Sequence, residues 1–575
     1  RIKARNNVDQ RGMQLAAKIQ YQPTVNLGVT LGGSLDYNTR KNFVYENALF
    51  NFENNPRIIN HTWRGYAKIM QKFNTGSAEE QEKSSSLIKN AYFTLQGSFT
   101  RVTQKSRNDV HGENFFDYGY VGKFEQDKRA AYVLEERSIY TFNGVDSVRK
   151  FAFWQNGFND VSYKFTPGDK NPTKTAYTQQ FYNITDPSQI RNIFDVENGL
   201  GLGNGDQPLS VYSIWNNTGT ISNLYTKLQN DQFRIFSNFS ADIKDHAIQL
   251  GVEYEQRIEN SYTLNATSLW TIMRQLANNE RLNLDDKDKY SPILNTVLSN
   301  GSLFEYYDFK RDYSGNQNKF SRSLRASLGL DTAGVDFINV DQYDPSMFNL
   351  NMFSAEDLLN IGSNQLVAYN GFDHTGKKLN GNPSLDDFFN GRDAEGYHTY
   401  STGAYRPIYI AGYIQDKFDF KDLKFNVGLR IDRFDANQKV LKDPYLLYEA
   451  VKVGELNIKN KPSNIGDDYI PYVKNITNPS PDEITGYRNG DTWYDANGIE
   501  VTDPTTALAG TAGGIYPYLT EPTKTKATDI NSKAFKDYVP QVNIMPRIAF
   551  AFPISDEANF FSHYDVSTPR PASGT

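Results

Sequence analysis

Residues 371–377, Gly-Phe-Asp-His-Thr-Gly-Lys, carry most of the spacing of a phosphate-binding loop, where backbone N–H groups cradle phosphates and the lysine reaches them. The hydroxyl that should follow to hold magnesium is replaced by Lys378. No apolar strand leads in, and Asn370-Gly371 reads as a turn, so the segment is a glycine-punctuated surface loop. Gly199, Gly201, Gly203 and Gly205 alternate in a second stretch, but Gln207-Pro208 blocks the helix that a dinucleotide fingerprint needs. His61, His111, His246, His374, His398 and His563 have neither helical metal spacing nor a zincin glutamate. Ser34 lacks the last glycine of a nucleophile elbow and falls inside a strand pattern, where its hydroxyl lines a wet face. Asp285, Asp286 and Asp288 offer oxygen ligands without the spacing of a calcium loop and read as a solvated acidic patch. The chain contains no cysteine, which removes thiol nucleophiles, thiolate metal sites and disulfides. No catalytic, cofactor-binding or metal-binding set emerges, and the chain is expected not to be an enzyme.

The elements that would position any such groups are strands of unusual length. Residues 25–37 place Val25, Leu27, Val29, Leu31, Gly33, Leu35 and Tyr37 on one parity, and Asn26, Gly28, Thr30, Gly32, Ser34 and Asp36 on the other. Soluble strands average about 5–6 residues, whereas a tilted membrane strand needs about 9–11. The alternation recurs in Phe93, Leu95 and Phe99; in Phe233, Ile235, Phe239, Ala241 and Ile243; and in Ile248, Leu250, Val252 and Tyr254. It returns in Phe425, Val427, Leu429 and Ile431, opposed by Lys424, Asn426, Gly428, Arg430 and Asp432, and in Ile548, Phe550, Phe552 and Ile554, opposed by Arg547. Aromatics make up 14% of the 575 residues, yet only 38% are hydrophobic. That combination fits a transmembrane β-barrel, whose lumen and loops are wet and whose rings gather at the membrane interfaces. No long uncharged apolar run marks a transmembrane helix. The net charge of −6 argues against nucleic acid as a partner.

Connections alternate between tight and very long. Tight turns are expected at residues 22–24, 244–246, 419–422 and 555–558; long excursions run from about 260 to 406 and from about 436 to 545. Short periplasmic turns and large extracellular loops are the outer-membrane arrangement. Strands ending at Ile243, Phe418 and Ile554 then run inward. Within the first long loop, residues 268–283 have helical spacing with Ser268 as a cap, and Asp495-Ala496-Asn497-Gly498 reads as a hairpin turn. Residues 144–225 show no clear strand pattern. The expected fold is all-β: part of an antiparallel transmembrane barrel with extracellular loops at about 262–404 and 437–544, containing short helices. Leu27, Val29, Leu31, Phe425, Val427 and Leu429 should point away from the barrel axis. Asn26, Thr30, Lys424, Asn426, Arg430, Asp432 and Arg547 are the candidates for facing the lumen.

Several stretches resemble TonB-dependent outer-membrane receptors. Ala411-Gly412-Tyr413-Ile414-Gln415-Asp416-Lys417 and Phe425-Asn426-Val427-Gly428-Leu429-Arg430-Ile431-Asp432-Arg433-Phe434 look like a strand pair of that family. Pro546-Arg547-Ile548-Ala549-Phe550 and the segment from His246 to Tyr254 are similar to further family strands. Phe115-Phe116-Asp117-Tyr118-Gly119-Tyr120-Val121-Gly122-Lys123-Phe124 and Asp443-Pro444-Tyr445-Leu446-Leu447-Tyr448-Glu449 resemble the large Oar-like members, which carry a carboxypeptidase-regulatory-like domain. The resemblance extends from about Gly12 to Gly574. It implies a barrel of about 22 strands around a plug, outer-membrane lipid as surroundings, and TonB as the energy-coupling partner through a segment outside this chain. The chain is accordingly expected to be a fragment of the barrel, without plug or N-terminal domain.

The function implied is TonB-dependent movement of a bulky solute, of the peptide, glycan or siderophore class. One alternative is a barrel subunit of a secretion or surface-assembly complex, with a surface lipoprotein or secretion partner. Others are a passive pore, a surface adhesin, or a secreted propeller or sandwich enzyme; the last predicts short regular loops and a repeat, which the sequence lacks.

Overall fold

The computed structural model describes residues 7–73, 87–140, 147–279, 293–299, 302–308, 317–334, 336–360, 363–421, 423–555 and 558–569. The acidic patch at 285–288, residues 280–283 of the expected helix, Gly144, Asp422, residues 556–557 of the last turn and Gly574 lie outside the described residues. The chain forms two compact units, Arg1–Lys244 with Arg257–Asn382 and Arg392–Ala404, and Asp245–Gln256 with Pro383–Gly391 and Tyr405–Thr575. Each is mostly antiparallel β-sheet with few helices.

The first unit contains β1 (Gln10–Thr24), β2 (Leu27–Lys41), β3 (Arg57–Lys72), β4 (Ile88–Arg107), β5 (Gly122–Tyr140), β6 (Ser147–Pro167), β7 (Leu224–Ile243) and the second half of β8 (His246–Asn265). It also holds β9 (Ile293–Ser299), β10 (Ser302–Asp308) and β11 (Val367–Asn370). Strands β1, β2, β3, β4 and β7 pair antiparallel in that order. Strands β5, β6, β10 and β9 form a separate sheet, and β11 pairs with the end of β8. In the second unit the first half of β8 pairs with β12 (Ile408–Phe420), then come β13 (Leu423–Asp435), β21 (Gln541–Ser555) and β22 (Ala558–Asp565), all antiparallel. Between β13 and β21 lie small sheets: β14 (Lys439–Leu441) with β20 (Phe535–Asp537), and β15 (Ile470–Val473), β16 (Ile484–Asn489), β17 (Thr492–Asp495), β18 (Glu500–Val501) and β19 (Tyr516–Pro517).

Because side chains alternate along a strand, register decides which residues share a face. In the first unit Leu31, Ala67, Gly97 and Ile235 form one cross-strand row. One edge of this apolar band is the row Leu27, Gln71, Phe93, Phe239; the other is Leu35, Trp63, Arg101, Asp231. At the latter edge the Arg101 guanidinium holds Asp231 at 2.6 Å and lies 5.8 Å from the Trp63 ring and 5.6 Å from Phe99. The second unit repeats the pattern. His246, Phe418, Phe425 and Phe550 form an aromatic row, with centroids 5.2, 5.2 and 6.3 Å apart, beside the turns. Above it run Ile248, Asp416, Val427 and Ile548, then Leu250, Ile414 and Leu429, then Val252, Gly412, Ile431 and Ile544. The aliphatic members are exposed and the opposite parity is packed: Val252 is 59% exposed while its neighbour Glu253 is 6%. A water-soluble sandwich has the reverse arrangement.

Several boundaries differ from the expectations. The first turn is Val25-Asn26 rather than 22–24, because the Thr24 hydroxyl accepts from the Leu27 N–H at 3.1 Å and closes a two-residue loop. The strand therefore starts at Leu27. Likewise His246 begins β8 instead of ending the turn, since Lys244, with φ +54°, reverses the chain with Asp245 alone. The connection at 73–87 between β3 and β4 is longer than a tight turn. β6 runs through the region read as patternless, paired to β5 before it. Bulges between Asp127 and Lys128 and between Ala130 and Tyr132 break their parity, so no period of two survives in the sequence. The long-loop helix is Ser268–Asn278; Thr267 precedes it, and Ser268 is its first residue, not its cap. The hairpin at Asp495 is present, with the Asp495 carboxylate accepting from Asn497 and Ile499 N–H and Gly498 at φ +81°. In the second unit Phe389 from the first long loop meets Phe535 from the second at 6.1 Å.

On the packed face, tyrosine rings lie over glycines directly across the sheet. Tyr66 faces Gly32 and Tyr413 faces Gly251, where an added Cβ would come within 2.5 and 2.4 Å of the ring. Gly97, on the exposed face, has nothing within 4 Å of that position. Gly251→Ala should therefore cost about 1–3 kcal/mol by overpacking, and Gly97→Ala should be neutral or slightly stabilising. Urea midpoints of the full-length protein in lipid check this; equal effects would contradict the ring-over-glycine packing.

Candidate functional site

The packed face of the second unit carries a charged network in place of an apolar core. Glu253 on β8, Ala411 on β12 and Asp432 on β13 lie in one cross-strand row, the alanine leaving room between the carboxylates. Arg430, two residues before Asp432 and so on the same face, contacts Asp432 through Nε at 2.8 Å and Glu253 through a terminal nitrogen at 3.7 Å. The Tyr409 hydroxyl donates to Asp432 and accepts from Arg430 at 2.9 Å. Glu253, Tyr409 and Asp432 are each under a tenth exposed. Burial of such charges is tolerated because each finds an opposite charge or a hydroxyl.

Of the candidates for the lumen, Arg430 and Asp432 are thus brought together. Asn426 shares their face, half-buried across from Lys417 and Ala549; Lys424 is exposed, across from Asp419 and Ala551. Arg547 pairs with Asp565 at 3.1 Å. Thr30 lies in the first unit, half-buried between Gln20 and Lys68, and Asn26 sits in the turn, outside any strand. Glu253 and Tyr409 were not singled out from the sequence, although Glu253 alternates with Val252 as Arg430 does with Leu429.

The connections of the first unit have a core of their own. Trp270 is fully buried and donates from Nε1 to the Phe116 carbonyl at 2.9 Å. Gly119 and Gly205 meet beside it, the Gly205 N–H donating to Gly119 O at 2.8 Å, and a Cβ on Gly119 would strike the indole at 2.6 Å. Close backbone approach, rather than nucleotide binding, is what the glycine stretch provides. Asn204 accepts from Val121 N–H at 2.6 Å and donates to Asp341 at 3.0 Å, and Asp341 takes Arg274 at 2.7 Å. The loop at Gly371 is an Asx-type hairpin: the Asp373 carboxylate accepts from Thr375 and Lys377 N–H, leaving no phosphate cradle. The other rings also pack, Trp215 on Tyr45 at 4.7 Å, Trp493 on Tyr472 at 5.1 Å and Tyr494 on Tyr469 at 5.6 Å. Among the described residues no group of three or more His, Asp or Glu could hold a metal ion. Burial pushes the His111 and His374 imidazoles down and the Asp357 carboxyl up to about 6.

Two changes probe these networks. Arg430→Met leaves Glu253 and Asp432 facing each other without a cation and should cost about 3 kcal/mol at most, since Arg430 is partly exposed. A triple change with Glu253→Gln and Asp432→Asn should recover most of that; no recovery would exclude charge as the cause. Lys174, in the helix Pro172–Ile184, is fully buried, and its amine has no hydrogen-bond partner among the described residues. Burial lowers it to about 8, with Asp206 opposing. Below about pH 8 the amine is charged in both the folded and unfolded chain, and the buried charge destabilises the fold. Between about 8 and the ordinary value of 10.5 only the unfolded chain keeps the proton, so stability rises with pH. Lys174→Met should raise the unfolding midpoint at pH 7 and narrow its advantage by pH 10; a constant difference would exclude this titration.

No family model matches the chain, and no curated protein matches it. Among solved structures, the ferric-catecholate import receptor Fiu from E. coli K12, in its closed form, is similar at 10% identity over 97% of this chain and 60% of that one, with a TM-score of 0.21. The RagAB peptide transporter matches at 8% identity over 95% of this chain and 47% of that one, TM-score 0.18. The siderophore receptor PirA from Pseudomonas aeruginosa matches at 6% over 97% and 56%, TM-score 0.16. The chain spans between about half and three fifths of the length of these structures.

Proposed function

We propose that this chain is part of an outer-membrane β-barrel of the TonB-dependent receptor family, Oar-like in type, that moves a bulky solute across the outer membrane. The observation that carries the reading is the inverted polarity of both sheets: exposed aliphatic rows such as Leu31 and Ile235, or Val252, Ile414 and Leu429, against a packed face holding Glu253, Arg430 and Asp432. Such a surface is stable only against lipid, where charge costs about 2–4 kcal/mol at the midplane and backbone groups must be paired within the sheet. The aromatic row at Phe418, Phe425 and Phe550 suits an edge of the hydrocarbon layer.

In this reading Thr30, Lys424, Asn426, Arg430, Asp432 and Arg547 face a hydrated lumen, and Asn26 lies at its periplasmic rim. The excursions at 262–404 and 437–544 are extracellular. A barrel of about 22 strands closes around a plug, and TonB acts through a segment of the whole protein outside this chain. The test is uptake of the native solute by cells carrying the full-length protein, with and without a proton-gradient uncoupler. Uptake should fall to the background of cells lacking the protein. Unchanged passage after uncoupling would exclude TonB dependence and leave a passive pore.

A further inference from the structure

The connection between β6 and β7 encloses a cavity of about 560 Å³, of the size that takes a small organic ligand. It lies between the helix Pro172–Ile184, the helix Ile193–Asn198 and the glycine stretch after it. Phe181, Ile184, Leu200 and Leu209 give it apolar walls, while Glu197 and Asp206 are its charged groups. Among the described residues none that lines it carries a positive charge. Three of those apolar side chains stand in water at its mouth: Ile184 is 86% exposed, Leu209 73% and Leu200 68%. Leu200 is also held at φ +64°, a left-handed conformation unfavourable for leucine. Large aliphatic groups kept exposed around a concavity mark a binding surface.

We infer that this cavity binds a peptide segment bearing one basic side chain between apolar ones, Glu197 and Asp206 receiving the cation and the aliphatic rim its neighbours. The inference deepens the transport reading, on which it rests, by choosing among the solute classes. An anionic metal chelate would meet the two carboxylates of the lining, since the nearest cations, Lys174 and Arg274, are buried outside it and Arg274 is held by Asp341. A glycan could use the Tyr177 and Phe181 rings and the amides of Gln180, Gln207 and Asn217, but it has nothing to place against the exposed aliphatic rim of Ile184, Leu200 and Leu209. A basic, apolar peptide matches both the charge and the lining. Burial raises the Asp206 and Glu197 carboxyls even with Arg274 nearby, and a ligand cation in direct contact would lower them.

The test uses the full-length protein in lipid nanodiscs and two fluorescent probes, acetyl-Leu-Arg-Leu-amide and acetyl-Leu-Glu-Leu-amide. The arginine peptide should bind at least roughly tenfold tighter, the span expected of one charge-assisted contact. Glu197→Gln and Asp206→Asn should each erase most of that preference; asparagine keeps an oxygen for the Gly203 N–H that Asp206 now accepts at 2.6 Å. Leu200→Gly relieves the backbone strain and removes rim area, so it should weaken binding of the arginine peptide without lowering the unfolding midpoint. Equal binding of the two probes, no binding, or binding indifferent to all three substitutions would overturn the assignment. Failure here with uncoupler-sensitive uptake intact would refute the cavity alone. Uncoupler-insensitive uptake would refute the transport reading whatever the peptides do.

Discussion

Backbone pairing under an apolar surface is the constraint on which the rest depends. The long strands turn aliphatic side chains outward, and in the proposed membrane setting their N–H and C=O groups cannot rely on water and must be met by the neighbouring strand. The ladders satisfy this: β3 and β4 stay in register from Arg57 opposite Arg107 to Lys72 opposite Tyr92, and β12 and β13 from Ile408 opposite Asp435 to Phe420 opposite Leu423. With the backbone satisfied, hydrophobic burial is no longer what orders the sheets. The packed face can then be polar.

That face is ordered by pairing rather than by exclusion of water. Arg430 ties β13 to β8 through Glu253, and Tyr409 on β12 joins the same carboxylate that Arg430 holds. The Tyr413 ring fills the space over Gly251, so the same face mixes charge with close van der Waals packing. A network of this kind contributes little net stability compared with aliphatic packing, but breaking one member is costly, which favours a single register.

The connections solve the opposite problem. Free of the sheet's inverted polarity, they build a conventional core around Trp270, Phe320, Phe353 and Leu264, all fully buried. Asn204, Asn171 and Asn339 act as surrogate backbone there, the last donating to the Phe124 carbonyl at 2.6 Å. The Phe115-to-Phe124 motif lies at this junction, with Tyr118, Val121 and Phe124 fully buried. A rigid core beneath the loops can hold a concavity open at their surface, as the cavity beside Phe181 requires.

The strand faces were legible in the sequence because a period of two needs only local information. Leu27 to Leu35, Ile248 to Val252 and Phe425 to Ile431 alternate plainly, and the sheets place each set on one exposed face. Turn positions were off by one to three residues, since a hydroxyl at Thr24 or a left-handed Lys244 decides them and neither shows in hydropathy. β6 was hidden because bulges in its pairing with β5 erase parity. Which charges meet was beyond the sequence altogether. Glu253 and Asp432 are far apart along the chain, and only the register of β8, β12 and β13 sets them on one row, with room at Ala411 and with Arg430 beside them. The cavity likewise exists only where two helices and a glycine stretch converge. Alternation is written residue by residue, whereas a site is written in distances that appear when strands pair.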